Sequence, residues 1–201
     1  MLRERGAEVV DCSLPAAEHA VATYYLVAAA EASSNLARYD GVRYGHRAGG
    51  DQRLDDVYAA SRSSGFGAEV QLRILLGTFA LQKGYQDQVY GRATRVRELL
   101  RRDFARAFAR CDLIASATSP IAAFPLGSRL QDPVAMYRCD ALTVPASLAG
   151  LPALSVPCGM TRGGLPVGLQ LTAPAFAEPL LLQTGDVYQR ATDWHRRRPA
   201  P

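Results

Sequence analysis

The chain has 201 residues, a formal net charge of +4 at pH 7 and 21% charged residues. That length suffices for one domain with its own core, and the balanced composition excludes a disordered or fibrous chain. The modest positive charge permits an anionic partner without requiring one, and no apolar run approaches the roughly 20 residues of a membrane span.

Taken in order, Gly6 reads as a helix stop and Glu8–Ser13 as a strand. Pro15 to about Glu31 gives an alanine-rich helix with Tyr24, Tyr25 and Leu26 at its centre. The stretch EASSNLARYDGVRYGHRAGG is a long loop whose interleaved tyrosines and arginines favour a packed, functional segment. Leu54–Ser64 is a short helix stopped by Gly65, and Gly67–Leu81 is a second one, with Arg73 set among Val70, Ile74, Leu75 and Phe79. Asp87–Cys111 is the longest helix. Its apolar stripe is Val96, Leu99, Leu100, Phe104, Ala107 and Phe108, with Arg92, Arg95, Arg102, Arg106 and Arg110 mostly off it. A strand at Leu113–Ala117, a proline-rich loop and a turn or short helix at Asp132–Asp140 follow.

Asp140–Ala173 then organises the chain. Two short apolar runs, Ala153–Cys158 and Val167–Ala173, flank a turn at Gly163-Gly164, and VPASLAGLP leads into them. Neither run alternates cleanly, which suggests strands buried on both faces in a sheet covered by helices. Ala177–Thr192 closes as an amphipathic helix before the basic tail DWHRRRPAP. The fold class is therefore α/β, with residues 1–201 belonging to one domain and no linker visible.

Motifs that would carry chemistry on their own are missing. There is no GxSxG, no phosphate-binding glycine loop and no HExxH. His19, His46 and His195 are isolated surface or loop histidines, and Lys83 beside Gly84 is a helix-end cation. The serine pairs at Ser33-Ser34 and Ser61–Ser64 lack an activating base and read as cap or turn serines. Cys12, Cys111, Cys139 and Cys158 are scattered, as expected of free, mostly buried thiols in a reducing compartment. The start MLRERGAEVVDCSLP lacks an apolar signal core, so a cytoplasmic location is expected. The arginines of the long helix could contact nucleic acid, but Glu98 and Asp103 interrupt them, and a solvated helix face explains them as well.

Four segments carry a resemblance: YYLVAAAEASSNLARYDGVRYG, SRSSGFGAEVQLRILLGTFAL, DPVAMYRCDALTVPASLAGLPALSVPCG and GLPVGLQL. In this order and spacing the chain resembles the C-terminal portion of the A subunits of glutamyl-tRNA(Gln)/aspartyl-tRNA(Asn) amidotransferases, members of the amidase-signature family. The resemblance implies an α/β fold with a mixed central sheet between helices. It implies a glutaminase whose ammonia passes to a B subunit that uses ATP and magnesium on misacylated tRNA, with a small C subunit holding the pair. No cofactor is expected on this chain itself.

Catalysis in that family uses a serine, a second serine in a cis peptide and a lysine, all within a glycine–serine-rich signature. This chain shows no such signature, and no catalytic residue is assigned to it. It is expected to be the C-terminal portion of a longer amidase domain, inactive alone. The resemblance assigns substrate binding to Arg73 and Asp140, which answer the carboxylate and ammonium of glutamine, with Tyr24 nearby. A guanidinium fork suits a carboxylate, and a carboxylate suits an ammonium. Read without the resemblance, Arg73 is a structural ion pair, Asp140 a helix cap and Tyr24 core packing. SATSP at Ser116–Pro120 departs from the family's usual run there. The remaining alternatives are another amidase-signature hydrolase and a basic nucleic-acid-binding module.

Overall fold

The computed structural model describes residues 1–50, 53–129 and 132–198. The chain divides into two compact units: Met1–Val21 with Val96–Pro201, and Ala22–Arg95. Seven helices and three strands occur among the described residues. They are α1 (Ala20–Leu36), α2 (Leu54–Gly65), α3 (Ala68–Ala80), α4 (Tyr90–Phe108), β1 (Ile114–Ala117), α5 (Pro133–Tyr137), α6 (Val144–Ala149), β2 (Ala153–Met160), β3 (Pro166–Thr172) and α7 (Glu178–Ala191). This is the expected α/β composition.

In the first unit the strands form a sheet of order β1-β3-β2, antiparallel throughout. The hairpin β2–β3 turns at Thr161–Leu165, as the glycine pair predicts. Gly164 takes φ 78° and its N–H donates to Thr161 O at 3.0 Å, a left-handed turn position that suits glycine. The expectation of strands buried on both faces holds at the end of β3, where the consecutive residues Gln170, Leu171 and Thr172 are all buried, but not in β2, which exposes Ala153, Ser155 and Pro157. The sheet is two-faced. Leu154, Leu169 and Leu171 pack with Leu181 of α7, while Ser116, Ser155 and Gln170 share the opposite face by register. Helix α7 comes close because Gly185 is bare: a Cβ there would stand 2.6 Å from Leu154 Cδ2.

A second cluster in this unit joins Phe104 and Ala107 of α4 to Ile114 of β1 and Ala149 of α6. Helix α6 falls within VPASLAGLP, the Pro–Gly-rich approach to the strands. Pro145 opens it, and Gly150 closes it at φ 75° with its N–H on Ser147 O, so the residues taken as loop punctuation are its two ends. Glu8–Ser13 is not a strand: the segment is exposed and has no sheet partner among the described residues. Leu99 leaves the expected stripe and is 50% exposed, while Asp103 takes a buried position instead. Helix α1 also runs five residues past Glu31, to Leu36.

In the second unit α1 buries Val27, Ala29 and Ala30, α2 buries Val57 and α3 buries Ala80. Helices α1 and α3 meet at Gly77, where a Cβ would overlap the Ala29 carbonyl oxygen. Ser33 and Thr78 hydroxyls hydrogen-bond across this contact at 3.0 Å. The expected apolar face of α3 is partly a solvent face, since Leu75 and Phe79 are exposed. The loop after α1 is anchored from within. Buried Asp40 accepts the N–H groups of Val42 and Arg43, each at 2.9 Å, and Ser61 Oγ accepts Ala48 N–H at 3.0 Å.

Candidate functional site

Arg73 and Tyr24 lie in the second unit. Tyr24 and Tyr25, adjacent on α1, meet edge to face with ring centroids 5.1 Å apart. Arg73 projects from α3 with its guanidinium carbon 5.7 Å from the Tyr25 ring centroid, a cation–π distance. One turn earlier on the same helix Glu69 Oε1 accepts the Arg73 Nε–H at 3.0 Å. Burial alone would lower the Arg73 pKa, but the neighbouring Glu69 and Tyr24 side chains outweigh it and the net shift is upward. The result is a permanent cation beside two aromatic rings, suited chemically to a carboxylate. The structure thus brings together two predicted site residues and adds Glu69 and Tyr25, whose signals were the four-residue spacing to Arg73 and adjacency to Tyr24. The ion-pair reading of Arg73 also has its partner in Glu69.

Asp140 lies in the other unit, at the end of a short 3-10 turn, Arg138–Asp140. Its main-chain oxygen accepts both the N–H and the hydroxyl of Thr143 at 3.1 Å. Its carboxylate is exposed and makes no hydrogen bond or ion pair among the described residues, so it does not cap a helix. Two side chains hold the backbone around it. Ser119 Oγ donates to Cys139 O at 3.1 Å, and Gln170 Nε2 donates to Leu142 O at 2.8 Å. Gln170, only 6% exposed, also reaches Ser116 Oγ at 3.3 Å. Sequence reading missed both residues. The available signal was the alternation of Gly168, Gln170 and Thr172 with Leu169 and Leu171.

The same unit holds a cavity of about 670 Å³ on the polar side of the sheet, lined by Thr118, Ile121, Phe124, Ser155, Pro157 and Gly168 among others. Thr118 and Ser155 hydroxyls are 2.7 Å apart. Among the described residues no titratable side chain lines the cavity, so neither hydroxyl has a base there to make it a nucleophile.

The basic face of α4 is partly neutralised. Arg102 Nε pairs with Glu98 at 3.3 Å, and Arg106 pairs with buried Asp103. Helix-surface pairing of this kind is the solvated-face reading of those arginines. All four cysteines are free thiols, Cys12 exposed and the others half-buried, so none is as buried as expected. Burial pushes the Cys111 and Cys158 thiols up. Among the described residues no cluster of His, Cys, Asp and Glu could hold a metal, and no helix is long and apolar enough to cross a membrane.

A family model described as Amidase matches residues 1–182. The chain belongs to the amidase family. Among curated amidase-family relatives it is 55% identical over 199 residues to the glutamyl-tRNA(Gln) amidotransferase A subunit of Chloroflexus aggregans, covering 99% of this chain and 40% of that protein. It is 57% identical over 192 residues to the protein of the same name from Myxococcus xanthus, covering 96% of this chain and 40% of that protein. The chain thus spans about 40% of the length of these relatives. A solved glutamyl-tRNA(Gln) amidotransferase A subunit from Thermotoga maritima matches with a TM-score of 0.58 and 36% identity over 85% of this chain and 32% of that one. A peptide amidase from Stenotrophomonas maltophilia matches with a TM-score of 0.65 and 26% identity over 98% of this chain and 38% of that one. The expected amidase-signature fold is thereby established.

Proposed function

We propose that this chain is the carboxyl-terminal part of the glutamine-hydrolysing A subunit of a tRNA-dependent amidotransferase, and that it holds the amino-acid end of glutamine. The observation that carries the reading is 55% identity across 99% of the chain to an amidotransferase A subunit. Arg73 would receive the α-carboxylate on its guanidinium fork, with Tyr24 beside it. Asp140, exposed and without a partner among the described residues, would receive the α-ammonium. Answering both charges selects a free amino acid over a simple amide.

The reading assigns amide cleavage to serine and lysine residues outside these 201 positions. Ammonia would then pass to a B subunit, which would use ATP and magnesium on misacylated tRNA, with a C subunit bridging the two. The whole assembly would be cytoplasmic. Glutamine-dependent ammonia release by the isolated chain tests the division of labour: background rates are expected, and clear turnover would contradict it.

A second reading, a segment of a stand-alone amide hydrolase, draws on the likeness to the peptide amidase. Co-purification with B and C subunits separates the two. An amidotransferase segment is retained by them, whereas a stand-alone hydrolase is not.

A further inference from the structure

Asp140 stands between two carbonyl groups, those of Cys139 and Leu142, and each is held by a side chain from the sheet region. Ser119 follows β1 and donates to Cys139 O at 3.1 Å. Gln170 lies on β3 and donates to Leu142 O at 2.8 Å. The turn between them is closed by Thr143, whose N–H and hydroxyl both donate to Asp140 O. The Asp140 carboxylate itself is tied to nothing among the described residues, so its direction is set by the backbone beneath it. That backbone has little regular structure of its own. It is one 3-10 turn between α5, five residues long, and α6, six residues long. Gln170, by contrast, is buried in a paired strand opposite Ser155 and Ser116, so its amide is fixed from the sheet.

We infer that Ser119 and Gln170 are positioning residues that aim the Asp140 carboxylate, and that they thereby set selectivity for a ligand bearing an α-ammonium group. The inference rests on the proposed role of Asp140 in holding glutamine. A free carboxylate on a loose turn pairs with water as well as with a ligand. One held in place loses less freedom on binding, and its charge-assisted contact counts for more. The polar side of the sheet thus acts on the ligand through the turn, without touching it.

The test compares glutamine with glutaramate, which keeps the carboxylate and the amide but lacks the α-amino group. Each is titrated against the wild-type chain and the Asp140→Asn, Ser119→Ala, Ser119→Thr and Gln170→Leu variants. Hydrogen exchange at the Ala141 and Thr143 amides is followed in parallel. Wild type prefers glutamine, and Asp140→Asn abolishes the preference. Ser119→Ala and Gln170→Leu reduce it roughly tenfold, the scale of one charge-assisted hydrogen bond. Both speed exchange at the two amides, and Ser119→Thr, which keeps the hydroxyl, restores preference and protection. A purely structural role would not change the ratio between the two ligands.

Preference unchanged in Ser119→Ala and Gln170→Leu but lost in Asp140→Asn overturns the inference and leaves the proposed function standing. Preference unchanged in Asp140→Asn, or no measurable glutamine binding by wild type, overturns the proposed function and with it the ligand named here. Unchanged exchange in both positioning variants overturns the inference whatever the ligands do.

Discussion

The Ala16 N–H donates to Asp103 Oδ2 at 2.7 Å across 87 residues of sequence. Asp103 sits on the buried side of α4, 4% exposed, and ties down the 3-10 turn Pro15–His19 just before α1. Its other oxygen takes Arg106 from the next turn of α4. Both carboxylate oxygens are therefore answered, which is how a charge can occupy an apolar stripe. Replacing Asp103 with alanine leaves the Ala16 N–H buried without an acceptor. The expected loss is about 1–3 kcal/mol of unfolding free energy. Asp103→Asn, which keeps an acceptor, loses less. Urea unfolding of the two variants checks this.

Two helix glycines predict opposite signs. Gly77→Ala drives a methyl into the Ala29 carbonyl, which is backbone and cannot move aside. Overpacking of this kind costs about 1–3 kcal/mol. Gly91→Ala, in the first turn of α4, meets only ordinary contacts, with Arg95 at 3.6 Å and the Gln86 carbonyl at 3.8 Å. It is expected to be neutral or to stabilise by up to about 1 kcal/mol through helix propensity. Thermal melts of the pair decide the matter: a fall for Gly77→Ala alone is the expected pattern.

Asp40 makes the loop after α1 sensitive to acid. The backbone N–H groups of Arg43 and Val42, aided by the Arg43 side chain, pull its pKa from 3.8 down to about 2. The folded carboxylate therefore stays ionised where the unfolded one already takes up a proton. The stabilisation it gives is fully present above the unfolded pKa and is lost as pH falls towards about 2. Amide protection at Val42 and Arg43 should fall in that window, and Asp40→Asn should remove the pH dependence while lowering protection at neutral pH.

The arginines of α4 predict a negative result. Glu98 pairs with Arg102 and Asp103 with Arg106, which breaks the run of positive charge along this face. Binding to single-stranded RNA should be weak, and Arg102→Gln with Arg110→Gln should leave its salt dependence unchanged. A steep salt slope that shrinks by about one unit per arginine removed would instead support a nucleic-acid module.

The hairpin was legible in the sequence because its two apolar runs flank a glycine pair, and Gly164 takes the turn position such a pair offers. The long helix was legible from its spacing, yet its stripe was drawn too simply. Asp103 lies three residues after Leu100 and four before Ala107, on the buried face, although its charge made it read as a break in the arginine run. Helix α6 was missed because Pro145 and Gly150 read as loop residues when they mark its ends. Glu8–Ser13 had the composition of a strand but no strand among the described residues pairs with it, and pairing is a property of the fold that no local pattern contains. Of the three predicted site residues, Tyr24 and Arg73 meet within one unit. The hold of Ser119 and Gln170 on the backbone around Asp140 joins segments some 20 and 30 residues apart, which no local reading links.

The central claim is that this chain binds the amino-acid end of glutamine through Arg73. The most direct measurement is an equilibrium titration of glutamine against the wild-type chain and the Arg73→Met variant, which keeps the apolar stem against Tyr25 and removes the charge. The account predicts saturable binding by wild type, weakened at least roughly tenfold in the variant, as for loss of a bidentate charged contact. Equal binding by the two proteins, or none by wild type, would contradict it.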